Sequence, residues 1–285
     1  MAAASDYAGS AACAKCHPAE YRQQSRSAHA HSLARSTSAQ PGEWAFGAGA
    51  QAITFVRRGD PANYIEMGES WYRSINGMAF TPGHRNGRGV PYRIFDPGAA
   101  IMRCFACHST GPLTLADDDS ILPDEPGVRC EACHGPAASH ALDPARTPMP
   151  DPKKLTADDL NRLCGNCHRM PAAAGDATNL QNPWNARHQP LLLAASRCFR
   201  ESAGRLGCVN CHSPHAPLET RIATYDAVCK TCHAHAAHRT AIASGACVSC
   251  HMPRVRPQPN LAFANHRIAV YRPSDPMAPV LNAAR

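Results

Sequence analysis

The sequence predicts a mainly α fold with long loops, cored by bound cofactors, with a small β insertion around residues 50–76. Three observations lead there. The string Cys-x-x-Cys-His occurs seven times. The chain carries 25 Pro and 19 Gly among 285 residues but only 6% aromatic residues, poor material for a large side-chain core. From the second copy of the string onward, successive copies are separated by 13 to 39 residues, room for a short helix and a turn and little else.

The seven strings are Cys13 to His17, Cys104 to His108, Cys130 to His134, Cys164 to His168, Cys208 to His212, Cys229 to His233 and Cys247 to His251. This is the attachment signature of c-type haem. Two thiols add to the haem vinyl groups as thioethers, and the histidine becomes the proximal iron ligand. On one helical turn the first Cys and the His, four residues apart, lie on the same face with the second Cys beside them. With 15 Cys and 16 His in the chain, chance would give roughly 0.05 copies. The attachment residues are therefore Cys13, Cys16, Cys104, Cys107, Cys130, Cys133, Cys164, Cys167, Cys208, Cys211, Cys229, Cys232, Cys247 and Cys250. The proximal ligands are His17, His108, His134, His168, His212, His233 and His251, and the expected cofactors are seven covalently bound haem c.

Two other uses of cysteine fit less well. A disulfide framework has no need of His after every second Cys. Zinc knuckles pair their Cys-x-x-Cys units into closed sites, but seven is odd and zinc gives no reason for seven histidines at one position. Cys198 alone is left over; it reads either as a small buried hydrophobe or as a thiol near a haem or an axial thiolate. Met252, directly after a motif His, reads as packing. Seven apolar plates wrapped by so short a chain would make up most of its core, and the chain without them should be largely unfolded.

The formal charge of +7 is not a nucleic-acid signal. Each oxidised bis-histidine haem adds about −1, which brings the loaded protein near neutrality, and the Arg and Lys side chains can face propionates. The apolar stretch Leu191 to Ala195 is far short of the ~20 residues of a membrane span. The start, Met1-Ala-Ala-Ala-Ser, lacks the charged and apolar regions of a signal peptide. Thioether attachment is carried out beyond the cytoplasmic membrane, so the expectation is an exported chain, periplasmic or extracellular, with its signal removed or replaced.

Along the chain, residues 1–43 read as a first haem-binding segment and 44–100 as a small β-containing insertion. In the insertion, Ile53-Thr54-Phe55-Val56, Tyr64-Ile65-Glu66-Met67 and Trp71-Tyr72-Arg73-Ser74 suggest a sheet of two or three strands. Residues 101–272 read as a six-haem domain and 273–285 as a tail. Within the six-haem domain, residues 143 to 153 are a linker loop. Leu155 to Leu163 reads as a helix capped by Thr156, with Asp158 and Asp159 in its first turn.

Seven irons need seven distal ligands if all are bis-histidine, and nine histidines lie outside the motifs: His29, His31, His84, His140, His188, His215, His235, His238 and His266. That supply favours capped, low-spin centres for electron transfer. His29 and His31, two apart, cannot share a helix face, so one is a surface residue or they serve different haems. His235 competes with His238. His84 and His188 are balanced between ligand and ordinary polar histidine.

Several segments together resemble the multihaem cytochrome c superfamily. They are Tyr7-Ala-Gly-Ser, Gly127-Val128-Arg129 running into Cys130-Glu-Ala-Cys-His-Gly-Pro with His140 behind, Cys208-Val-Asn-Cys-His-Ser-Pro-His, Cys247-Val-Ser-Cys-His-Met-Pro and Asn265-His266-Arg267-Ile268. That superfamily includes the tetrahaem cytochrome that accepts electrons from hydroxylamine oxidoreductase, the pentahaem nitrite reductases and octahaem enzymes. The resemblance runs from about residue 7 to 272 and is strongest after residue 100; it makes the chain a heptahaem member. It implies a helical, loop-rich fold with adjacent haems stacked in parallel or set at right angles as a wire. It also implies distal roles for His29, His140, His215, His238 and His266.

The leading expectation is thus electron transfer between redox partner proteins, other cytochrome subunits included, with no nucleic acid and no membrane span. A multihaem oxidoreductase acting on nitrite, hydroxylamine or sulfite would need one open iron with proton donors nearby. The nitrite reductases mark their active haem with Lys in place of the motif His, and here all seven strings end in His. A subunit of a larger redox complex or of an extracellular haem filament is the third reading.

Overall fold

A computed structural model describes residues 6–59, 63–84, 93–95, 100–173, 178–234 and 247–280. The chain divides into two units, Met1–Lys153 with Pro214–Pro217, and Lys154–Ser213 with Leu218–Arg285.

The first unit begins with two short helices, α1 (Ser10–Cys13) and α2 (Pro18–Gln24). An antiparallel sheet follows: β1 (Leu33–Arg35), β2 (Trp44–Phe46), β3 (Ala52–Arg58), β4 (Tyr64–Tyr72) and β5 (Gly77–Phe80) pair in chain order. A sixth strand, β6 (Arg93–Phe95), pairs with the start of β4 in the register Tyr64↔Phe95. The nine-residue helix α3 (Ala100–His108) leads directly into the hairpin β7 (Ser109–Leu115) and β8 (Ile121–Pro126), and α4 (Cys130–His134) and α5 (Ala138–Leu142) complete the unit.

The few aromatic residues are concentrated where they matter. Leu33, Trp44, Phe46, Val56 and Tyr64 of the sheet close on Ile101 and Phe105 of α3 and on Ile121 of β8. The Phe105 ring meets Trp44, Phe46 and Tyr64 edge-on, with centroids 5.3, 5.1 and 6.0 Å away, a favourable arrangement of ring quadrupoles. Phe105 lies inside the second Cys-x-x-Cys-His string, so the sheet is the wall that fixes that motif.

The second unit opens on α6 (Ala157–His168), whose Thr156 cap accepts the Asp159 N–H at 3.1 Å with Asp158 and Asp159 in the first turn, as the sequence suggests. After it come α7 (Gln189–Ala194), α8 (Arg197–Glu201), α9 (Cys208–Cys211), α10 (Ile222–Lys230) and α11 (Cys247–His251). Two hairpins end the chain, β9 (Arg254–Gln258) with β10 (Leu261–Ala264) and β11 (Tyr271–Arg272) with β12 (Asp275–Pro279). Ala186, Val255 and Met277 form a small core there with Phe263 against it.

The fold class therefore differs from the expectation of a mainly α protein. Of the described residues 34% are helical and 24% strand, a mixed architecture with four antiparallel sheets among them. The physical reason lies in which strands were hidden. β1 and β2 are three residues each, too short to show an alternating pattern. β7, β8, β9 and β12 each contain proline, which reads as loop. In a two-stranded ladder both strands are edges, and an edge tolerates Pro where its missing N–H faces outward.

Three substitutions test this packing. The Tyr64 hydroxyl accepts the Ile121 N–H at 2.7 Å in a buried setting. Tyr64→Phe should cost about 1–3 kcal/mol, the penalty of a stranded buried donor, read as a lower midpoint in chemical denaturation. Gly127 and Gly135 both sit at positive φ, +88° and +77°. A Cβ at Gly135 meets nothing within 4 Å, so Gly135→Ala should cost only the backbone strain of its φ +77°, ψ 177° conformation, about 1–3 kcal/mol. A Cβ at Gly127 falls 2.2 Å from the Ala30 carbonyl oxygen. Gly127→Ala should lower the melting temperature well beyond the Gly135 variant, and equal effects would refute the close approach.

Candidate haem-attachment sites

Each of the seven strings forms a helical turn. The second, third, fourth and seventh lie wholly within α3, α4, α6 and α11. In the other three, the His17, His212 and His233 N–H groups donate to the carbonyls of Cys13, Cys208 and Cys229 at 2.8, 3.0 and 3.0 Å. Every described string thus has its first Cys and its His one turn apart on one face. The turns stop where the sequence stops them: in five strings a Pro follows the His within three residues, as in His134-Gly135-Pro136 and His251-Met252-Pro253.

The turns meet in pairs. Helix α1 packs on α4, α6 on α9, and α10 on α11. In each pair the neighbouring thiols are the first cysteines of the two strings: Cys13 with Cys130, Cys164 with Cys208, and Cys229 with Cys247. Burial, reinforced by Cys130, pushes the Cys13 thiol up to about 11. The Cys164 thiol donates to Cys208, which raises Cys164 and lowers Cys208. Burial and Cys247 push Cys229 up to about 11. Helix α9 also packs on α10, so the fourth to seventh strings adjoin one another in chain order within the second unit. The second string stands apart from the pairs; α3 and α4 both lean on β7.

The histidines have a common anchoring. A carbonyl oxygen can only accept, so an imidazole Nδ1 bonded to one must carry the proton, leaving Nε2 as the free donor atom for a metal. The motif histidines His108, His134 and His251 are held this way on Ser32, Pro150 and Ala269 at 2.9, 3.1 and 2.9 Å. His140 and His266 outside the motifs are held on Thr147 and Ala264 at 2.8 and 3.0 Å. His188 Nδ1 lies 3.0 Å from Asn185 Oδ1, whose orientation is fixed by Arg169 donating to that oxygen and by Asn185 Nδ2 donating to the Asn179 carbonyl.

Two pairs of rings face each other at a telling separation. A ligating imidazole nitrogen sits about 2 Å from its metal, with the ring centroid about 1 Å further back, so two histidines on opposite faces of one metal have centroids about 6 Å apart. His134 and His215 are 6.0 Å apart and nearly parallel, 13° between planes. His212 and His266 are 6.1 Å apart with 35° between planes. Burial, aided by His212 and His168, pushes His266 down to about 4; burial, aided by Arg187, Arg169 and His168, does the same to His188. Burial also lowers His215, His29 and the motif His108. These rings favour the neutral state that metal ligation requires.

The remaining expected ligands sit less distinctively. His17, His31 and His233 are exposed. His29 leads into the turn whose carbonyl accepts the Val128 N–H at 2.8 Å. His84 stacks on Phe80 at 5.6 Å. His235 and His238 lie outside the described residues. The leftover thiol, Cys198, is part-buried on α8 with Cys211, Cys229 and Cys232 among its electrostatic neighbours.

The donor set fits haem c: paired thiols and a following imidazole on one turn, and a second imidazole opposite two of them. The sequence reading missed three buried polar residues beside the strings, Glu131, Asn161 and Asp226. The last two share the position three residues before the first Cys, a recurrence visible in the sequence.

Comparison with known proteins points the same way. A family model described as cytochrome c554 and c-prime matches residues 95–135, the stretch holding the second and third strings. No curated protein matches the chain. Among solved structures, the outer cell wall cytochrome OcwA is similar over 95% of this chain and 81% of its own, at 17% identity and a TM-score of 0.59. The undecahaem cytochrome from the S-layer of Carboxydothermus ferrireducens is similar over 84% of this chain and 44% of its own, at 19% identity and a TM-score of 0.49. Among the described residues no helix is long and apolar enough to cross a membrane. At 17% identity the likeness to OcwA speaks for the fold alone, the fold of that cytochrome.

Proposed function

We propose that this chain is an exported heptahaem c-type cytochrome that carries electrons between redox partners outside the cytoplasm. The observation that carries the reading is the pairing of its attachment turns, first cysteine against first cysteine, in three separate places. Haem iron supplies one-electron chemistry between its ferric and ferrous states.

In this reading the fourteen motif cysteines hold the cofactors covalently and the seven motif histidines are the proximal ligands. Opposite them, His215 pairs with His134 and His266 with His212, on the ring separations given above. His188, an electrostatic neighbour of His168, pairs with it. The four remaining positions draw on His140, with its Nδ1 tied to a carbonyl, His29, His31, His84 and His238. The carbonyl anchors orient the rings and strengthen Nε2 as a donor, the usual office of the groups behind a ligating histidine. In the second unit four attachment turns touch in chain order, which gives a continuous run of redox positions. The partners are other redox proteins, cytochrome subunits included, and an extracellular location accords with the outer cell wall and S-layer origins of the two similar structures.

Two measurements test this. A pyridine haemochrome assay should give about seven haems per chain, all retained through acid-acetone extraction. Alkylation of the denatured protein should then modify Cys198 and no other cysteine. Extractable haem, or a second labelled cysteine, would sink the covalent heptahaem reading. Low-temperature EPR of the oxidised protein should show low-spin iron. His266→Ala and His215→Ala should each introduce a high-spin signal that cyanide abolishes, and an unchanged spectrum in either variant removes that histidine from the ligand set.

A further inference from the structure

The attachment turns come in pairs, and each pair contains one buried polar side chain that reaches from one helix to the start of the other. Glu131, within the third string on α4, is 3% exposed. Its carboxylate accepts the Ala8 and Gly9 N–H groups, both at 2.9 Å, on the chain leading into α1, and the Ala137 N–H at 2.8 Å. Helix α1 has no side-chain cap of its own. Asp226 on α10 is 2% exposed, and its Oδ1 accepts the N–H of Val248, the second residue of α11, at 3.0 Å. Asn161 on α6 is 1% exposed; its Oδ1 lies 3.6 Å from Cys208 Sγ at the start of α9, and its Nδ2 donates to the Pro190 carbonyl at 3.2 Å.

The recurrence is positional as well as chemical. Asn161 and Asp226 each stand three residues before the first Cys of their string, one helical turn back and on the same face. One site carries an amide and the other a carboxylate. The difference has a cost, because Asp226 Oδ2 is buried without a hydrogen-bond partner among the described residues, and a buried carboxylate oxygen lacking a donor is destabilising. At the same position before the fourth string Asn161 is neutral, and its amide ties α6 to the Pro190 carbonyl of α7.

We propose that Glu131 and Asp226 are positioning residues that clamp their attachment turns two by two, and that these carboxylates, against the neutral amide of Asn161 in the third pair, set the pairs apart in reduction potential. A fixed negative charge beside a redox centre stabilises its more positive, oxidised state, and so lowers its potential. The pair around Glu131 and the pair around Asp226 are held lower by this effect, while the pair around Asn161 is not. The inference rests on the heptahaem reading above.

Asp226→Asn in the full, haem-loaded protein separates the two parts. The amide keeps an oxygen for the Val248 N–H and removes the charge. Intact mass first shows whether the parent and variant carry the same haem complement; a parent without haem overturns the functional reading itself rather than this inference. With the complement intact, spectroelectrochemical titration should show components of one haem pair moving to higher potential while the others stay. All components unmoved would overturn the electrostatic role. Asp226→Ala, which removes the acceptor, should speed hydrogen exchange at the Val248 amide by about tenfold, the factor one ordinary hydrogen bond supplies, while Asp226→Asn leaves it protected. Equal protection in the Ala variant would overturn the clamp.

Discussion

A helical turn of four or five residues cannot hold itself together, and the rest of the structure follows from that constraint. Nucleating a helix fixes several residues for one hydrogen bond, so isolated turns of this length are unstable in water. Helices α1, α4, α9 and α11 are all of this kind. Each is held by groups far away in sequence. The amides entering α1 are satisfied by Glu131, with Ser10 bonded to Glu125. Helix α4 starts from Gly127, whose neighbour Val128 is bonded to the His29 carbonyl, and α11 is tied to Asp226. An attachment motif is local, but the geometry of attachment is a tertiary property.

The two units meet this constraint differently. In the first, the second string rides on the longer helix α3, and the few large aromatics of the chain are spent there, as Trp44, Phe46 and Tyr64 close on Phe105. In the second, the side-chain core is slight, Ala186, Val255 and Met277 with Phe263, and the strings crowd against one another instead. Asn265 illustrates the economy of that region: its Nδ2 donates to the Pro276 carbonyl, its Oδ1 accepts the Arg267 N–H, and between them the His266 ring is turned toward His212.

The histidine environments are consistent with one another. Nδ1 is committed to an oxygen on six described histidines, three inside the strings and three outside. Where burial acts strongly, as at His266 and His188, the ring is pushed toward its neutral form. The oxygen partner fixes the proton of the neutral ring on Nδ1, and at His266 and His188 burial favours that neutral form, the state a metal ligand must have. His188, evenly balanced on sequence grounds, gains its case from Asn185 and Arg169, residues that no local pattern connects to it.

What the sequence by itself determined lies within a few consecutive residues: the seven Cys-x-x-Cys-His strings, the helical turn each forms, the proline stops behind five of them, and the Thr156 cap before the fourth. All of these act over one helical turn, so local spacing is sufficient information. The tertiary structure alone decided three things. It extended the sheet that Ile53–Val56 and Tyr64–Tyr72 suggest to six strands and added three hairpins, using strands too short or too rich in proline to announce themselves. It faced His134 with His215 and His212 with His266, residues 81 and 54 apart in the chain. It also brought Glu131 to the amides of Ala8 and Gly9 across more than a hundred residues. Those contacts depend on chain reversals between the motifs, and the energy that fixes them is packing between segments, which no local pattern records.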